Sequence, residues 1–367
     1  DDRTGPILDS VLRPLWDAYA ALKRDRAVRE PLDLDLPERK IVLKADGTVE
    51  RVFVPDRLDA HRLIEEFMIQ ANVAAAETLE GKRLPLIYRI HDAPSLAKQE
   101  SLREFLATLG LPLARGAQMK PSSFNGILSR VKGSDHETLV NEVVLRSQSQ
   151  AVYSPENLGH FGLNLRRYAH FTSPIRRYAD LVVHRALIRL FGLGDGAMGD
   201  EEMLQLDRTA QHVSETERQA QAAERDATDR YLAAYLSDRI GAEFAGRITG
   251  VTRFGLFVSL DETGADGLVP ISTLPDDYYR HDERTHALIG DRWRRVYRIG
   301  APVRVRLVEA DPISGSTLLV LAGRAQEDGA DLPGFSPPAD MRGRGPGRGG
   351  SRRDGRPPSD GRARGRR

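Results

Sequence analysis

The spacing of apolar residues changes abruptly near residue 244, and this change divides the chain into two kinds of structure. Before it, apolar residues recur every three or four positions over long stretches, which is typical of amphipathic helices. After it, short runs alternate apolar and polar residues between glycine-rich turns, which is typical of β-strands. Five such runs are present, at residues 244–251, 254–260, 267–270, 303–310 and 317–321. The pattern predicts a helix-rich region followed by a small closed barrel.

The region before residue 240 is predicted to combine helices with a few strands. Asp46-Gly47 lies between two strand-like runs and is a strong signal for a hairpin of strands 40–45 and 49–54. One more strand is predicted at 84–90, and helices are predicted at 6–28, 58–78, 94–109, 121–132, 136–148, 173–190 and 200–238. The fold class is therefore an α/β (mixed α+β) region followed by an all-β barrel of the OB type.

The end of the chain differs in composition from the rest. Residues 341–367 contain ten arginines and two aspartates, giving +8, whereas the whole chain of 367 residues carries only +1. Because glycine, proline, serine and arginine cannot form an apolar core, residues 324–367 are predicted to be a disordered basic tail. Such a tail is typical of a nucleic-acid contact. A solubility role, or docking to a ribosome or an RNA-decay protein, is the alternative.

Composition also excludes several classes of protein. The chain has no cysteine, which excludes disulfides and thiolate metal sites. It contains no apolar run of membrane-spanning length and no signal-like start, so we expect a cytoplasmic protein with no membrane partner. It begins with Asp1 rather than methionine, and we expect it to lack its natural start.

The segment from His170 to Ala186 predicts an anion site. Ser173 suits the N-cap of a helix, Pro174 suits its first position, and Arg176 and Arg177 follow in the first turn. Two cations oppose the helix dipole there unless a ligand supplies negative charge, so the pattern favours a phosphate-bearing ligand over a solvated helix end. Three more polar or aromatic side chains crowd the same entry: Arg167, Tyr168 and His170.

The residues around this segment resemble a known family. Gly159-His-Phe-Gly162, followed by Tyr168-Ala-His-Phe-Thr-Ser-Pro-Ile-Arg-Arg-Tyr178, resembles the signature of the ribonuclease II/ribonuclease R family. The resemblance implies 3′→5′ hydrolysis of RNA to nucleoside 5′-monophosphates with Mg²⁺. It also implies that Arg176 is the catalytic arginine that stabilises charge on the scissile phosphate, and that Glu224 lies near the 3′-terminal nucleotides. Without the resemblance, a solvated helix charge explains Glu224 equally well.

Two adjacent acids, Glu65 and Glu66, lie beside the apolar stripe of the helix predicted at 58–78. Apolar neighbours on the same helix indicate that at least one carboxylate is half-buried and has a partner, although an exposed helix edge is the alternative. The resemblance implies that this helix lies at the active centre and that one acid contacts the substrate ribose. A carboxylate can accept a hydrogen bond from the 2′-OH, and we expect Glu66 to do so, with Glu65 as second choice.

The metal ligands expected in such an active centre are not visible in the sequence. The resemblance implies that the family's Asp-rich Mg²⁺ motif precedes residue 1, so we expect no metal site in this chain. Asp33 and Asp35 lie on one face of an extended segment, but an exposed strand edge explains them better. Two departures from the family are Leu34, near which an aromatic residue is common, and Ala179, where proline is common.

The barrel resembles an S1 RNA-binding domain over residues 241–323. The resemblance rests on Arg-Phe-Gly-Leu-Phe-Val (253–258) and Gly-Leu-Val-Pro-Ile-Ser (267–272). Phe254 and Phe257 are expected to stack on unpaired bases, unless one of them belongs to the barrel core. Pro270 stands where a histidine is common, and the insertion at 276–280 is expected to supply Tyr278 and Tyr279 instead. The arginines expected to follow the phosphates are Arg253, Arg280, Arg304 and Arg306.

The resemblance implies a Mg²⁺-dependent exoribonuclease, and the residues themselves indicate a phosphate site, an RNA-binding barrel and a basic tail. A non-catalytic S1-type RNA-binding protein is the alternative. Its partner is RNA with a free 3′ end, single-stranded or structured, bound through Tyr168, His170, Ser173, Arg177, Glu224 and the barrel. We expect a monomer that, as this chain alone, binds RNA and cleaves little or none. The predicted divisions are part of a catalytic domain at 1–238, the S1 barrel at 241–323 and the tail at 324–367.

Overall fold

Helices form most of the chain before the barrel, close to the predicted positions. The computed structural model describes residues 3–34, 39–113, 119–134, 136–283 and 285–322, and the tail lies outside them. Two short helical turns, Gly5–Ile7 and Leu8–Leu12, lead into the first α-helix. The α-helices are α1 (Arg13–Arg29), α2 (Asp59–Gly81), α3 (Leu96–Thr108), α4 (Pro121–Val131), α5 (Glu137–Ser147), α6 (Tyr178–Phe191), α7 (Asp200–Leu204) and α8 (Leu206–Ser237).

Two small antiparallel sheets accompany these helices. The predicted hairpin is present as β1 (Lys40–Leu43) and β2 (Val49–Phe53), and Gly47 in its turn has a φ of 82°, which glycine adopts without strain. The second sheet pairs β3 (Tyr88–Ile90) with β4 (Val152–Ser154). β3 is shorter than predicted because only three residues find a partner, and β4 has too few residues to show a pattern.

The alternating region closes into the predicted five-stranded barrel. Its strands are β5 (Glu243–Thr252), β6 (Gly255–Leu260), β7 (Asp266–Pro270), β11 (Pro302–Asp311) and β12 (Ser316–Leu321), in the order β11-β12-β7-β6-β5. β11 pairs with β5 and closes the barrel. Alternate residues of β6 point inward, and Leu256, Val258 and Leu260 are completely buried.

A three-stranded antiparallel sheet lies between β7 and β11 in the chain and was not predicted. It contains β8 (Tyr279–Asp282), β9 (Ala287–Gly290) and β10 (Val296–Arg298), in the order β10-β9-β8. All four residues of the central strand β9 are buried, so the sequence shows no alternation there. The expectation that Tyr279 offers an RNA contact is wrong, because its ring is 9% exposed and its hydroxyl donates to Pro275 O at 3.0 Å.

The long helix α8 connects the two halves of the fold. Near its start, Leu206 and Ala210 pack in the core formed with α2 and α6. Near its end, Leu232 and Leu236 pack in the barrel core. The described part of the chain contains no helix long and apolar enough to cross a membrane.

Candidate active site and nucleic-acid interface

A separate turn, rather than the start of a helix, holds the two arginines of the predicted anion site. α6 begins at Tyr178 and not at Pro174, so the prediction that Ser173 caps this helix is wrong. Ser173 O accepts hydrogen bonds from the N–H groups of Arg176 and Arg177 at 3.3 and 3.2 Å, which closes a turn. Arg177 is then extended, with φ −130° and ψ 116°, and this breaks the turn from the helix.

A completely buried carboxylate explains this geometry. Asp180 Oδ2 accepts the backbone N–H of Ser173 at 2.7 Å and Arg177 Nη2 at 2.9 Å, and Arg177 Nε lies 2.7 Å from Oδ1. The Arg177 guanidinium is therefore engaged within the protein. The Arg176 side chain is exposed and makes no hydrogen bond or ion pair with the described residues. Of the two arginines, Arg176 is the one directed to solvent and available to an anion.

A buried asparagine attaches helix α2 to the same loop. Asn72, which is 2% exposed, donates from Nδ2 to the Tyr168 hydroxyl at 3.0 Å. Its Oδ1 accepts the N–H groups of Phe171 and Thr172 at 2.8 and 3.3 Å. Six residues earlier on α2, about 9 Å along the axis, lies Glu66. The sequence analysis did not identify Asn72. A polar residue among the apolar positions of the helix is the pattern that could have indicated it.

Tyr168 and His170 lie in a packed column of rings instead of at the surface. The Tyr168 ring contacts His160 and His170 edge to face, with centroids 5.2 and 5.6 Å away, and His170 Nδ1 lies 2.9 Å from the Tyr153 hydroxyl. Burial, aided by nearby Arg177, lowers the pKa of His170 to about 2. Burial, aided by His91, lowers the pKa of His160 to about 3. Both imidazoles are therefore uncharged at neutral pH and add no cation to the anion site.

These two histidines predict acid sensitivity of the fold. Their pKa values are lower in the folded protein than the ordinary value of 6.5, so below pH 6.5 the unfolded chain takes up protons that the folded chain does not. At pH 5.5 each histidine is expected to lower the free energy of unfolding by about 1.4 kcal/mol relative to pH 8. Urea unfolding at the two pH values measures this loss.

A variant isolates the contribution of one ring from all other titrating groups. His160→Asn retains an acceptor for the Leu163 N–H, which His160 Nδ1 now accepts at 3.1 Å, and it removes the titration. We expect the loss between pH 8 and 5.5 to shrink by about 1.4 kcal/mol. The exposed His212 provides the matched control, since His212→Asn should leave the free energy of unfolding at pH 8 unchanged. An unaltered pH dependence in the His160 variant would contradict the prediction.

The acid pair of α2 lines a polar cleft of about 620 Å³. Glu66 is 3% exposed, and its carboxylate accepts from Arg26 Nη1 at 2.8 Å and lies 3.4 Å from Arg29 Nη2. Burial and the presence of a partner, as predicted for at least one of the two acids, are thus confirmed for Glu66. Glu65 is more exposed and pairs with Arg57. The other charged residues of the cleft are Lys23, Asp33, Arg62, Lys132 and Glu137.

The described residues do not provide a set of ligands for a metal ion. Among them, no group of three or more histidine, aspartate or glutamate side chains is arranged to hold a metal. Asp33 is an exposed side chain 3.7 Å from Arg26 Nη2, and Asp35 lies outside the described residues. No chemical step through Mg²⁺ can therefore be built on these side chains.

Phe254 and Phe257 form one exposed surface on the barrel, whereas Phe244 of β5 is buried in its core. Phe254 and Phe257 are 57% and 36% exposed, and their rings meet edge to face at 6.0 Å. The alternative that one of them belongs to the core is wrong. Gly250 on β5 makes room for the second ring, because a Cβ there would lie 3.1 Å from Phe257. Two aromatic rings with accessible edges and faces are suited to contact unpaired bases.

The expected phosphate-binding arginines differ in their surroundings. Arg253, beside the phenylalanines, is 82% exposed and lies 3.5 Å from Glu283. Arg304 and Arg306 of β11 both pair with Glu243 on the neighbouring strand β5, while Arg280 is exposed on β8. Glu224 is exposed in the middle of α8. The structure thus brings Tyr168, His170, Ser173 and Arg177 together, and places Glu224 and the barrel residues elsewhere on the surface.

Comparison with known proteins adds a family context to this geometry. The family model of the RNB domain matches residues 2–192, and that of the S1 RNA binding domain matches residues 237–315. Ribonuclease R of Aquifex aeolicus (strain VF5) is 42% identical over 306 residues, 83% of this chain and 43% of that protein. Ribonuclease R of Escherichia coli (strain K12) is 41% identical over 307 residues, 81% of this chain and 37% of that protein.

Solved structures show the same likeness. The apo form of Mycoplasma genitalium RNase R matches with a TM-score of 0.79 and 32% identity, covering 84% of this chain and 49% of that one. The same enzyme in complex with ribose methylated single-stranded RNA gives identical values, and its complex with double-stranded RNA gives a TM-score of 0.69 at 28% identity. The chain spans about 37 to 43% of the length of the two curated relatives.

Proposed function

The chain belongs to the RNB domain family and carries an S1 RNA-binding domain, and from this premise we propose that it is part of a 3′→5′ exoribonuclease of the ribonuclease R type. Its products are nucleoside 5′-monophosphates. The observation that carries the proposal is the exposed Arg176 guanidinium, which has no hydrogen-bond or ion-pair partner among the described residues. It lies on a loop that Asn72 and Asp180 hold from inside the protein.

Arg176 acts on the scissile phosphate. A preorganised donor stabilises developing negative charge without the cost of reorientation, and this loop is fixed by hydrogen bonds at Phe171, Thr172 and Ser173. Arg177 shapes the loop through Asp180 and reaches RNA indirectly. Tyr168, His170 and Ser173 support the loop in the same way, the first two through buried ring contacts.

Glu66 recognises the ribose. A carboxylate has about four lone-pair positions, and the two arginine contacts leave room for a 2′-OH donor. Arg26 and Arg29 hold the carboxylate in its orientation. Glu65, more exposed and paired with Arg57, is the second candidate. Glu224 is assigned to the 3′-terminal nucleotides on the family resemblance alone.

The divalent metal of the reaction is Mg²⁺, and we place its ligands outside this chain. The donor set in the described residues does not fit the ion, whereas the family implies metal dependence. Such an ion, when bound, would provide Lewis-acid chemistry for the attacking water and the leaving oxygen. This chain contributes the arginine, the ribose-binding acid and RNA capture.

RNA capture belongs to the barrel and the basic tail. The proposed divisions remain 1–238, 241–323 and 324–367. RNase R of Mycoplasma genitalium has been solved with single-stranded and with double-stranded RNA, which supports both forms as substrates here. The likeness to bacterial ribonucleases R favours a cytoplasmic location.

The proposal is tested by comparing this chain with the full-length protein. With Mg²⁺ and 5′-labelled oligo(A), the full-length protein is expected to shorten RNA from its 3′ end and release AMP, and the DNA oligomer of the same sequence is expected to survive. The 367-residue chain is expected to bind the RNA in an anisotropy assay and to release no AMP. EDTA should abolish release by the full-length protein.

Two results would overturn parts of the proposal. Mg²⁺-dependent AMP release by the 367-residue chain would show that its own residues hold the metal. RNA binding without cleavage by the full-length protein would instead support the non-catalytic S1-type alternative.

A further inference from the structure

Hydrogen bonds fix the backbone of the turn between β9 and β10, which runs from Asp291 to Arg295. Gly290 N–H donates to Arg295 O at 2.8 Å and closes the turn. The Asp277 carboxylate, which precedes β8, accepts the N–H groups of Arg292 and Trp293 at 2.8 and 2.9 Å. A Cβ at Gly290 would lie 2.3 Å from Asp277 Oδ2, so only glycine leaves room for this carboxylate.

The turn presents a large aromatic ring and positive charge to solvent. Trp293 is 57% exposed, and the Arg292 guanidinium lies 4.9 Å from its ring centroid. Arg292, Arg294 and Arg295 outnumber the one acid of the turn, Asp291. An indole flanked by guanidinium groups combines a stacking surface with phosphate contacts, which is the chemistry that binds unpaired nucleotides.

A second exposed ring stands beside the turn. Tyr278 is 76% exposed, and its carbonyl accepts the N–H of Asp291 at 2.9 Å. The Asp277 carboxylate also accepts the Tyr278 N–H, at 2.8 Å. One carboxylate therefore fixes the backbone under both rings.

This surface is distinct from the phenylalanine surface of the barrel. Arg253, next to Phe254, reaches Glu283 at the end of β8 where Asp282 pairs with Ala287. The tryptophan turn follows the opposite end, where Tyr279 pairs with Gly290. Three residue steps along β8 separate the two ends by about 10 Å.

We propose that the Trp293 turn is a second stacking site for an unpaired RNA base, with Arg292 and Arg294 contacting the flanking phosphates. The inference rests on the proposed RNA binding by the barrel and extends it. A strand held on the phenylalanine surface meets the tryptophan turn further along the three-stranded sheet. Recognition is by stacking and charge, so it tolerates any base sequence.

The two tryptophans of the chain allow a direct test. In a Trp16→Phe background, Trp293 is the only source of tryptophan emission. Titration with unlabelled oligo(A) is expected to quench this emission, with the same midpoint as anisotropy of the labelled RNA. Trp16→Phe should itself bind RNA like the wild type. Trp293→Ala in the wild-type background should weaken binding roughly five- to 100-fold, and Trp293→Phe by much less.

The outcomes separate this site from the barrel function. If RNA binds, and Phe254→Ala weakens that binding, while Trp293 emission and the affinity of Trp293→Ala stay unchanged, the second site is excluded and barrel binding stands. If the wild-type chain binds no RNA, the proposed RNA capture and the second site both fail.

Discussion

Replacing Arg176 by alanine in the full-length enzyme is expected to lower kcat by about 10²- to 10³-fold. The guanidinium is exposed, and in the proposed mechanism its loss removes a preorganised donor to the phosphate in the transition state. The side chain makes no hydrogen bond or ion pair with the described residues, so the melting temperature should stay at the wild-type value. Single-turnover release of AMP measures the effect on chemistry.

Comparing the change in kcat with the change in Kd tests the role assigned to Arg176. Because the proposed RNA capture lies on the barrel, away from this loop, the Kd of Arg176→Ala should rise by less than about tenfold. Arg176→Lys keeps the charge but not the planar two-donor geometry, so it should restore only part of kcat. Arg166→Ala, an exposed arginine upstream of the loop, is the matched control and should have wild-type kcat. A loss in Kd that equals the loss in kcat/KM would reduce Arg176 to a binding residue.

Patterns that repeat along the chain were readable from the sequence. The barrel of β5–β7 and β11–β12 was predicted from the alternation of apolar and polar residues along each strand, because the apolar residues all point into one core. The Asp46-Gly47 turn follows from local conformational preference. The burial of at least one of Glu65 and Glu66 was predicted from apolar neighbours at helical spacing, and the structure shows that Glu66 is the buried one.

Features that depend on distant partners were not readable. Arg26 and Glu66 are separated by 40 positions, and Asn72 and Tyr168 by 96, so neither pair leaves a local pattern. Ser173 is a residue type that often caps helices. Here its backbone N–H donates to the buried Asp180 carboxylate instead, and the helix begins at Tyr178. Here a tertiary contact overrides a local preference, and the result is a loop fixed by hydrogen bonds that exposes the Arg176 side chain.

Asp180→Ala is expected to lower the free energy of unfolding more than Arg176→Ala does. The carboxylate is completely buried, and its removal leaves the Arg177 guanidinium and the Ser173 N–H without their partner. Breaking a buried ion pair from one side costs about 3–5 kcal/mol. Urea unfolding of the 367-residue chain should show a fall of this size in the free energy of unfolding.

A matched exposed pair separates burial from charge. Asp226 and Arg230 lie 3.0 Å apart on α8 with both side chains about half exposed, and Asp226→Ala should change stability by less than about 1 kcal/mol. Amide exchange adds local resolution: in Asp180→Ala the Ser173 amide should lose protection, while the Phe171 amide, bound to Asn72, should keep it. Equal destabilisation by the two substitutions would show that Asp180 does not anchor the loop.

Because the same loop carries Arg176, a folded Asp180→Asn enzyme should also lose kcat, with the melting temperature and kcat measured on one preparation.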